Sequence, residues 1–473
     1  MKTAPPLLCL CLIVLLFGVN MYRASTQSIT GDEAMTYNKF VWPPVAESFT
    51  TYDANNHVLH TFLCKLSVRW FGLTEFGLRV PSLAGGLLFL FSIWRLARYT
   101  LGRGWMCLFA VAAVALNPLV LDYLSAARGY SLALGFYFWG LFLLTRYLAE
   151  DYDRPVWLLP RAGVAFGLAV GANLVFLVPV VAAGGVFTLL TLRTFWRTVD
   201  RFWGPVIVPA FLILVLPLTR AGASNFYYGA RSLEDMIRNL VTNSMIHKAS
   251  MWRIAEFVPG FGSWSGVAAE ALIPALALFV VVVAAVRRER TLVLLAGTGA
   301  AALGALIAGH ALTGVPYPLG RTGIYWLPLF TLAVMLAIPA AWRAGLAGKA
   351  AGAACGCVMA AACALFAAGI TTDQYPEWRY DAGTHRIVNV LRARCAAKGR
   401  VRLGVNWLFE PSLNFYRHKY HLDWIEPVTR DGPDGKYDYY VLLPKDAAVA
   451  AKLGLRPLYR DPVSEAVLAA GVQ

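Results

Sequence analysis

Two adjacent carboxylates, Asp32 and Glu33, stand in the stretch Ser28-Ile-Thr-Gly-Asp-Glu-Ala-Met-Thr-Tyr37, a few residues beyond an apolar run. Charges at the exit of a membrane helix are rare unless they are paired or functional. Neighbouring residues point in different directions, so this pair cannot flank a sugar ring as glycosidase carboxyls do, which stand ~5–9.5 Å apart. One carboxylate alone can act as general base on an acceptor hydroxyl. The competing reading is that both acids solvate a loop or cap a helix beginning at Ala34.

Three further clusters carry polar chemistry. In Tyr52-Asp-Ala-Asn-Asn-His-Val-Leu-His60, Asn56 and His57 open a helical segment whose N-terminus favours an anion. His57 and His60 share one face, so a metal site is conceivable, but the chain offers no identifiable third ligand. In Leu121-Asp-Tyr-Leu-Ser-Ala-Ala-Arg-Gly-Tyr130, Asp122 and Arg128 form either a structural ion pair or part of a site that includes Tyr130. In Val315-Pro-Tyr-Pro-Leu-Gly-Arg-Thr-Gly-Ile-Tyr325, preceded by His310, a Pro/Gly-framed loop presents Arg321, a cation suited to phosphate. Arg231, Arg238, Lys248 and Arg253 read equally as a solvated basic face, and Tyr227 and Tyr228 as sugar-stacking or interface aromatics.

The elements that must position these groups are apolar. The chain is 58% hydrophobic and 15% charged, against about 25% charged in soluble domains. Runs long enough to cross a hydrocarbon core recur at 7–19, 80–97, 105–121, 132–148, 156–170, 174–192, 206–218, 267–286, 292–308, 324–341 and 350–370. The expectation is a polytopic α-helical membrane protein of about 11 transmembrane helices. The first run, after Lys2, reads as an uncleaved span because no convincing cleavage site follows it.

Arginines mark alternate loops: Arg95, Arg98 and Arg103; Arg146, Arg154 and Arg161; Arg193, Arg197 and Arg201; Arg287, Arg288 and Arg290; then Arg343 with Lys349. The intervening short loops hold only Arg128 and Arg321, which sets an N-in, C-out orientation. That asymmetry accounts for much of the net charge of +15 without invoking nucleic acid. Six of the eight cysteines lie in apolar runs, where Cys acts as a small hydrophobe; Cys64 and Cys395 do not, and no zinc or disulfide spacing appears.

The organisation expected is a transmembrane domain over 1–370, with external loops at 21–79 and 219–266, and an extracytoplasmic α/β domain over 371–473. Within the first loop, 57–71 reads as an amphipathic interfacial helix. The last domain reads as a helix over 385–397 and strands at 401–405 and 437–443, with turn chemistry in Asp431-Gly-Pro-Asp-Gly435.

The chain resembles the polytopic GT-C-fold glycosyltransferases, specifically bacterial relatives of protein O-mannosyltransferases and of the aminoarabinose transferases that modify lipid A. The carrying residues are Gly31-Asp32-Glu33-Ala34, Asn55-Asn56-His57-Val58-Leu59, the run Phe71-Gly-Leu-Thr-Glu-Phe-Gly-Leu-Arg-Val-Pro-Ser-Leu83, Ala127-Arg128-Gly129-Tyr130, and Arg321 to Pro328. The likeness covers the N-terminal half well and the remainder loosely. It implies transfer from a membrane-embedded sugar–polyprenyl-phosphate donor to a lipid, glycan or protein acceptor outside a bacterial inner membrane. Asp32 then matches the family's catalytic acid and Asp122 the position of a second acid. His57 takes the place of a residue that touches the lipid phosphate, although the Pro-Pro pair of relatives is missing here. Relatives differ in metal use, so a divalent metal is neither required nor excluded, and no other cofactor is implied. The rivals are a transporter or lipid flippase, which should carry broken polar helices near mid-membrane, and a non-catalytic assembly subunit.

Overall fold

Apolar chain in a bilayer can satisfy its own backbone groups only as helix or closed barrel, and each of the eleven runs falls on helix. The protein is described from a computed structural model covering residues 4–51, 53–150, 155–222, 228–244, 261–395 and 399–471, with backbone alone for 261–270 and 395. Tyr52, Arg154, Tyr227, Lys248 and Arg253, with much of the expected 219–266 loop, lie outside the described residues.

In chain order the helices are α1 (Ala4–Thr26), α2 (Gly31–Thr36), α3 (Val45–Thr50), α4 (Val58–Phe71), α5 (Glu75–Leu101), α6 (Trp105–Ala115), α7 (Pro118–Ser125), α8 (Tyr130–Ala149), α9 (Leu158–Ala172), α10 (Leu177–Leu190), α11 (Phe195–Thr198), α12 (Gly204–Leu218), α13 (Leu233–Ser244), α14 (Phe261–Arg287), α15 (Arg290–Thr313), α16 (Trp326–Trp342) and α17 (Gly345–Gly369). Among the described residues seven helices are long and apolar enough to cross a membrane, or eight if a bent pair is one span; three shorter apolar helices accompany them.

The bent pair is α6 and α7, turned by 69° at Leu116-Asn117. The sequence reading treats 105–121 as one straight run. Pro118 cannot continue the preceding hydrogen-bond ladder but suits a first helical position, and Asn117 Oδ1 accepts from Val120 N at 3.2 Å to restart the helix. The bend lays α7, with Asp122 and Tyr123, against α1. Helices α5 and α8 approach closely because glycines face each other: a Cβ on Gly135 would stand 2.6 Å from Gly85 O.

Helix α4 turns its polar side inward: His60, Thr61, Cys64 and Ser67 are buried while Trp70 is 76% exposed.

The C-terminal region contains α18 (Thr384–Cys395), α19 (Glu410–Lys419), α20 (Ala447–Lys452) and strands β1 (Leu403–Val405), β2 (Tyr439–Leu442), β3 (Arg456–Arg460) and β4 (Val467–Ala470). The sheet order is β1-β2-β4-β3, parallel between β1 and β2 and antiparallel elsewhere. The α18, β1 and β2 elements match expectation; α19, α20, β3 and β4 are additions, too short to leave a clear period. Ile29, Ala34, Tyr37, Cys64 and Leu78 share one apolar core with Ile387, Val405, Phe409, Phe415 and Tyr416, so the first loop and the C-terminal region are packed as a unit.

Candidate active site

The local sequence folds α2 through a capping box. Thr30 Oγ1 accepts from Glu33 N at 3.3 Å and Glu33 Oε2 accepts from Thr30 N at 2.9 Å. Glu33 is wholly buried and its remaining lone pairs are occupied. Arg79 donates Nε to Oε1 at 2.8 Å and Nη2 to Oε2 at 2.7 Å, and Ala127 N donates to Oε1 at 2.5 Å. Four donors fill the four acceptor positions of a carboxylate. The same Arg79 caps the end of α1, donating to Gln27 O at 2.8 Å and Ser28 O at 2.7 Å. One buried ion pair thus joins α1, α2, α5 and the turn before α8.

Asp32 lies one residue earlier, about 100° around the helix, and faces elsewhere. Its side chain is 21% exposed, and Arg321 Nη2 stands 3.3 Å from its Oδ2. That oxygen is itself buried and has no partner with hydrogen-bond geometry. Arg128, almost fully buried, has Nη2 at 4.0 Å from the same oxygen, and its Nη1 donates to Asp32 O at 3.3 Å and Thr36 Oγ1 at 3.1 Å. Arg321 is also bound to Glu377, whose Oε2 accepts from Tyr123 Oη at 2.5 Å, and its guanidinium lies 5.1 Å from the centroid of the Tyr228 ring. The arrangement is one partly exposed carboxylate beside two guanidinium groups, each backed by fixed partners.

Asp122 does not pair with Arg128. Its Oδ1 accepts from Arg23 Nη2 at 2.5 Å, and Arg23 in turn lies 4.6 Å from the centroid of the Tyr375 ring. His57 precedes α4, with its ring edge-on to Tyr130 at 5.3 Å and its buried Nε2 without a partner. Burial, then the Arg128 guanidinium, holds the His57 imidazole well below its ordinary range, so it can hydrogen-bond a phosphate but not add charge. Tyr130 stands between His57 and Tyr123, 5.0 Å from the latter. The Asn56 amide is engaged elsewhere: Nδ2 donates to Ser48 O at 2.7 Å and Thr51 O at 2.8 Å, while Oδ1 accepts from Thr61 Oγ1 at 3.1 Å. His310 packs on Tyr317, and Arg238 pairs with Glu234 on an exposed helix face. His60 Nε2 bonds Ser82 Oγ at 3.0 Å. Among the described residues no three His, Cys, Asp or Glu side chains are grouped to hold a metal.

Sequence reasoning missed Arg23, Arg79, Tyr123 and Glu377 as members of this cluster. Arg23 and Arg79 had a legible signal, each being a cation at one end of an apolar run. Glu377 had none, because it reaches Arg321 from the C-terminal region.

No family model matches the chain, and no curated protein matches it in sequence. In three dimensions it is similar to ArnT from Cupriavidus metallidurans bound to undecaprenyl phosphate, with TM-score 0.54 and 16% identity over 98% of both chains. The chain shares the fold of ArnT over nearly its whole length. Apo ArnT from the same organism superposes equally, with TM-score 0.55 and 15% identity over 98% of both chains. The archaeal oligosaccharyltransferase AglB from Archaeoglobus fulgidus, in complex with an inhibitory peptide and a dolichol-phosphate, gives TM-score 0.45 at 12% identity over 98% of this chain and 74% of that one, too loose to carry an argument. At these identities the likeness establishes fold, and the chemistry must rest on the residues of this chain.

Proposed function

We propose that the chain is a membrane glycosyltransferase that moves a sugar from a polyprenyl-phosphate donor to an acceptor at the outer membrane face. The observation that carries this reading is the Asp32 carboxylate, whose side chain is partly exposed and whose Oδ2, itself buried, lies 3.3 Å from Arg321 and 4.0 Å from Arg128. A donor phosphate competes with Asp32 for those guanidinium groups. Once it binds, the carboxylate is released to take a proton from the acceptor hydroxyl. The acceptor oxygen bonds to the anomeric carbon as the carbon–oxygen bond to phosphate breaks, and the charge that develops on the leaving phosphate falls on Arg128 and Arg321. The structure of ArnT bound to undecaprenyl phosphate supports a lipid-phosphate donor on this fold.

Glu33 and Asp122 act as positioning residues in this scheme: the first holds Arg79 and the second Arg23. Tyr130 and neutral His57 line the donor side, and Asn56 fixes the loop that presents His57. The eleven apolar runs are taken as eleven spans, with the Arg128–Arg321 end outward and the ends bearing Arg146, Arg290 and Arg343 in the cytoplasm of a bacterial cell. The region 371–473 covers the acceptor side. Arg23, Arg79, Arg128 and Arg321, each beside an acid at the Asp32 end of the bundle, favour this reading over a transporter.

The test is cellular. Replacing the chain with Asp32→Asn should cause the polyprenyl-phosphate sugar to accumulate and one envelope glycan or glycolipid to disappear, with the protein still in the membrane. An unchanged lipid and glycan profile would overturn the proposal.

A further inference from the structure

At the end of the helix bundle opposite Asp32 there is a cavity of about 560 Å³ that the transfer reaction does not use. Helix α5 separates the two: Arg79 at its start belongs to the site and Tyr99 near its end lines the cavity, a distance of about 30 Å at 1.5 Å per residue. The volume lies within the range of small-molecule pockets, about 300–1,000 Å³.

Its lining falls into two chemical layers. Leu101, Met106, Leu148, Leu292 and Leu336, from five different helices or helix ends, make an apolar floor. Arg290, Arg343 and Glu289 make an ionic rim. Arg290 Nη1 donates to Leu148 O at 2.9 Å, at the C-terminal end of α8, and Arg343 Nη1 pairs with Glu289 at 2.9 Å. The latter pair is exposed, with 65% of the Arg343 side chain accessible, so it is held weakly against a competitor. Of the charged residues that line the cavity, two are arginines and one is an acid.

A soluble anion has no use for the greasy floor, and an apolar molecule none for the guanidinium rim. An amphiphile with a phosphate head satisfies both. We propose that this cavity binds an acidic glycerophospholipid of the leaflet opposite the reaction, its phosphate on Arg343 and Arg290 in place of Glu289 and its acyl chains on the apolar floor.

The experiment uses the full chain purified in detergent, with phosphatidylglycerol or phosphatidylcholine added and bound lipid counted by native mass spectrometry. Phosphatidylglycerol should be retained about tenfold more tightly than phosphatidylcholine, and Arg343→Ala should remove about that factor, the size of one lost charge-assisted contact. Glu289→Gln should act in the opposite direction, strengthening phosphatidylglycerol retention by removing the carboxylate that competes for Arg343. A pair that serves folding alone would weaken in both variants alike. Equal retention of the two lipids, phosphatidylglycerol binding untouched by Arg343→Ala, or loss of binding in Glu289→Gln would each overturn the assignment.

Discussion

Asp32 and Glu33 are adjacent in sequence yet meet different guanidinium groups, and their environments divide the work. Glu33 is sealed against Arg79 with every lone pair filled, which leaves it nothing with which to take a proton. Removing one partner of a buried ion pair strands the other charge, at a cost of about 3–5 kcal/mol. Glu33→Gln should therefore lower stability by about that amount in thermal or denaturant unfolding. Asp32→Asn, at a partly exposed carboxylate, should unfold close to the native protein. Equal unfolding of the two variants would contradict the division. The acidic pair itself was legible from its place after the first span. Only the resemblance singled out Asp32; the separate surroundings of the two depend on Arg79, Ala127 and Arg321, distant in sequence.

At the scale of elements, α2 is a six-residue helix that cannot persist alone and must be clamped. The C-terminal region supplies the clamp: Asp381 Oδ2 accepts from Gly31 N at 2.6 Å, and Asp381 Oδ1 accepts from Thr384 Oγ1 at 3.0 Å. A Cβ on Gly31 would stand 2.7 Å from Tyr380 Oη and 3.3 Å from Asp381 Oδ2, so Gly31→Ala should displace α2 and reduce transfer together with stability, seen as lower activity and a lower unfolding temperature. Burial raises the Asp381 carboxyl to about 7, above the roughly 3.9 of an unfolded chain. The folded form then holds a proton that the unfolded form has lost, so this contribution is present in full below about pH 4 and fades as pH rises through about 7. Unfolding temperature followed against pH should show that decline, and Asp381→Asn should flatten it. The turn chemistry of α7 and the capping box of α2 were both written in local residues, Asn117-Pro118 and Thr30-Gly-Asp-Glu33. The bend of α7 toward α1 was not, since a long apolar run looks the same straight or broken.

Across the whole molecule, residues 21–79 and the C-terminal region are packed as one structure. Ile29 N donates to Tyr416 Oη at 3.1 Å, Ser28 Oγ meets His385 Nδ1 at 2.6 Å, and Lys419 pairs with Glu75 in a mostly buried contact. Like charges forced together at such a contact cost several kcal/mol. Lys419→Glu should lower the unfolding temperature and transfer rate together, and the added change Glu75→Lys should restore both; failure of the double variant would mean the pair does not join the two regions. Apolar runs and alternating arginines were enough to read a helical membrane protein, and the GT-C fold followed from the resemblance of a few motifs. Contacts such as Ser28 with His385 connect positions hundreds of residues apart, which no local pattern encodes.

The central claim is that Asp32 takes the acceptor proton while Arg128 and Arg321 hold the donor phosphate. Its most direct test is the single-turnover rate of sugar transfer by purified Asp32→Asn at saturating polyprenyl-phosphate sugar. The account predicts a rate lowered by about 10²–10⁴, the usual worth of a general base, with donor binding as tight as in the native protein or tighter because Arg321 is no longer shared. A native rate, or a loss explained by failure to bind donor, would contradict it.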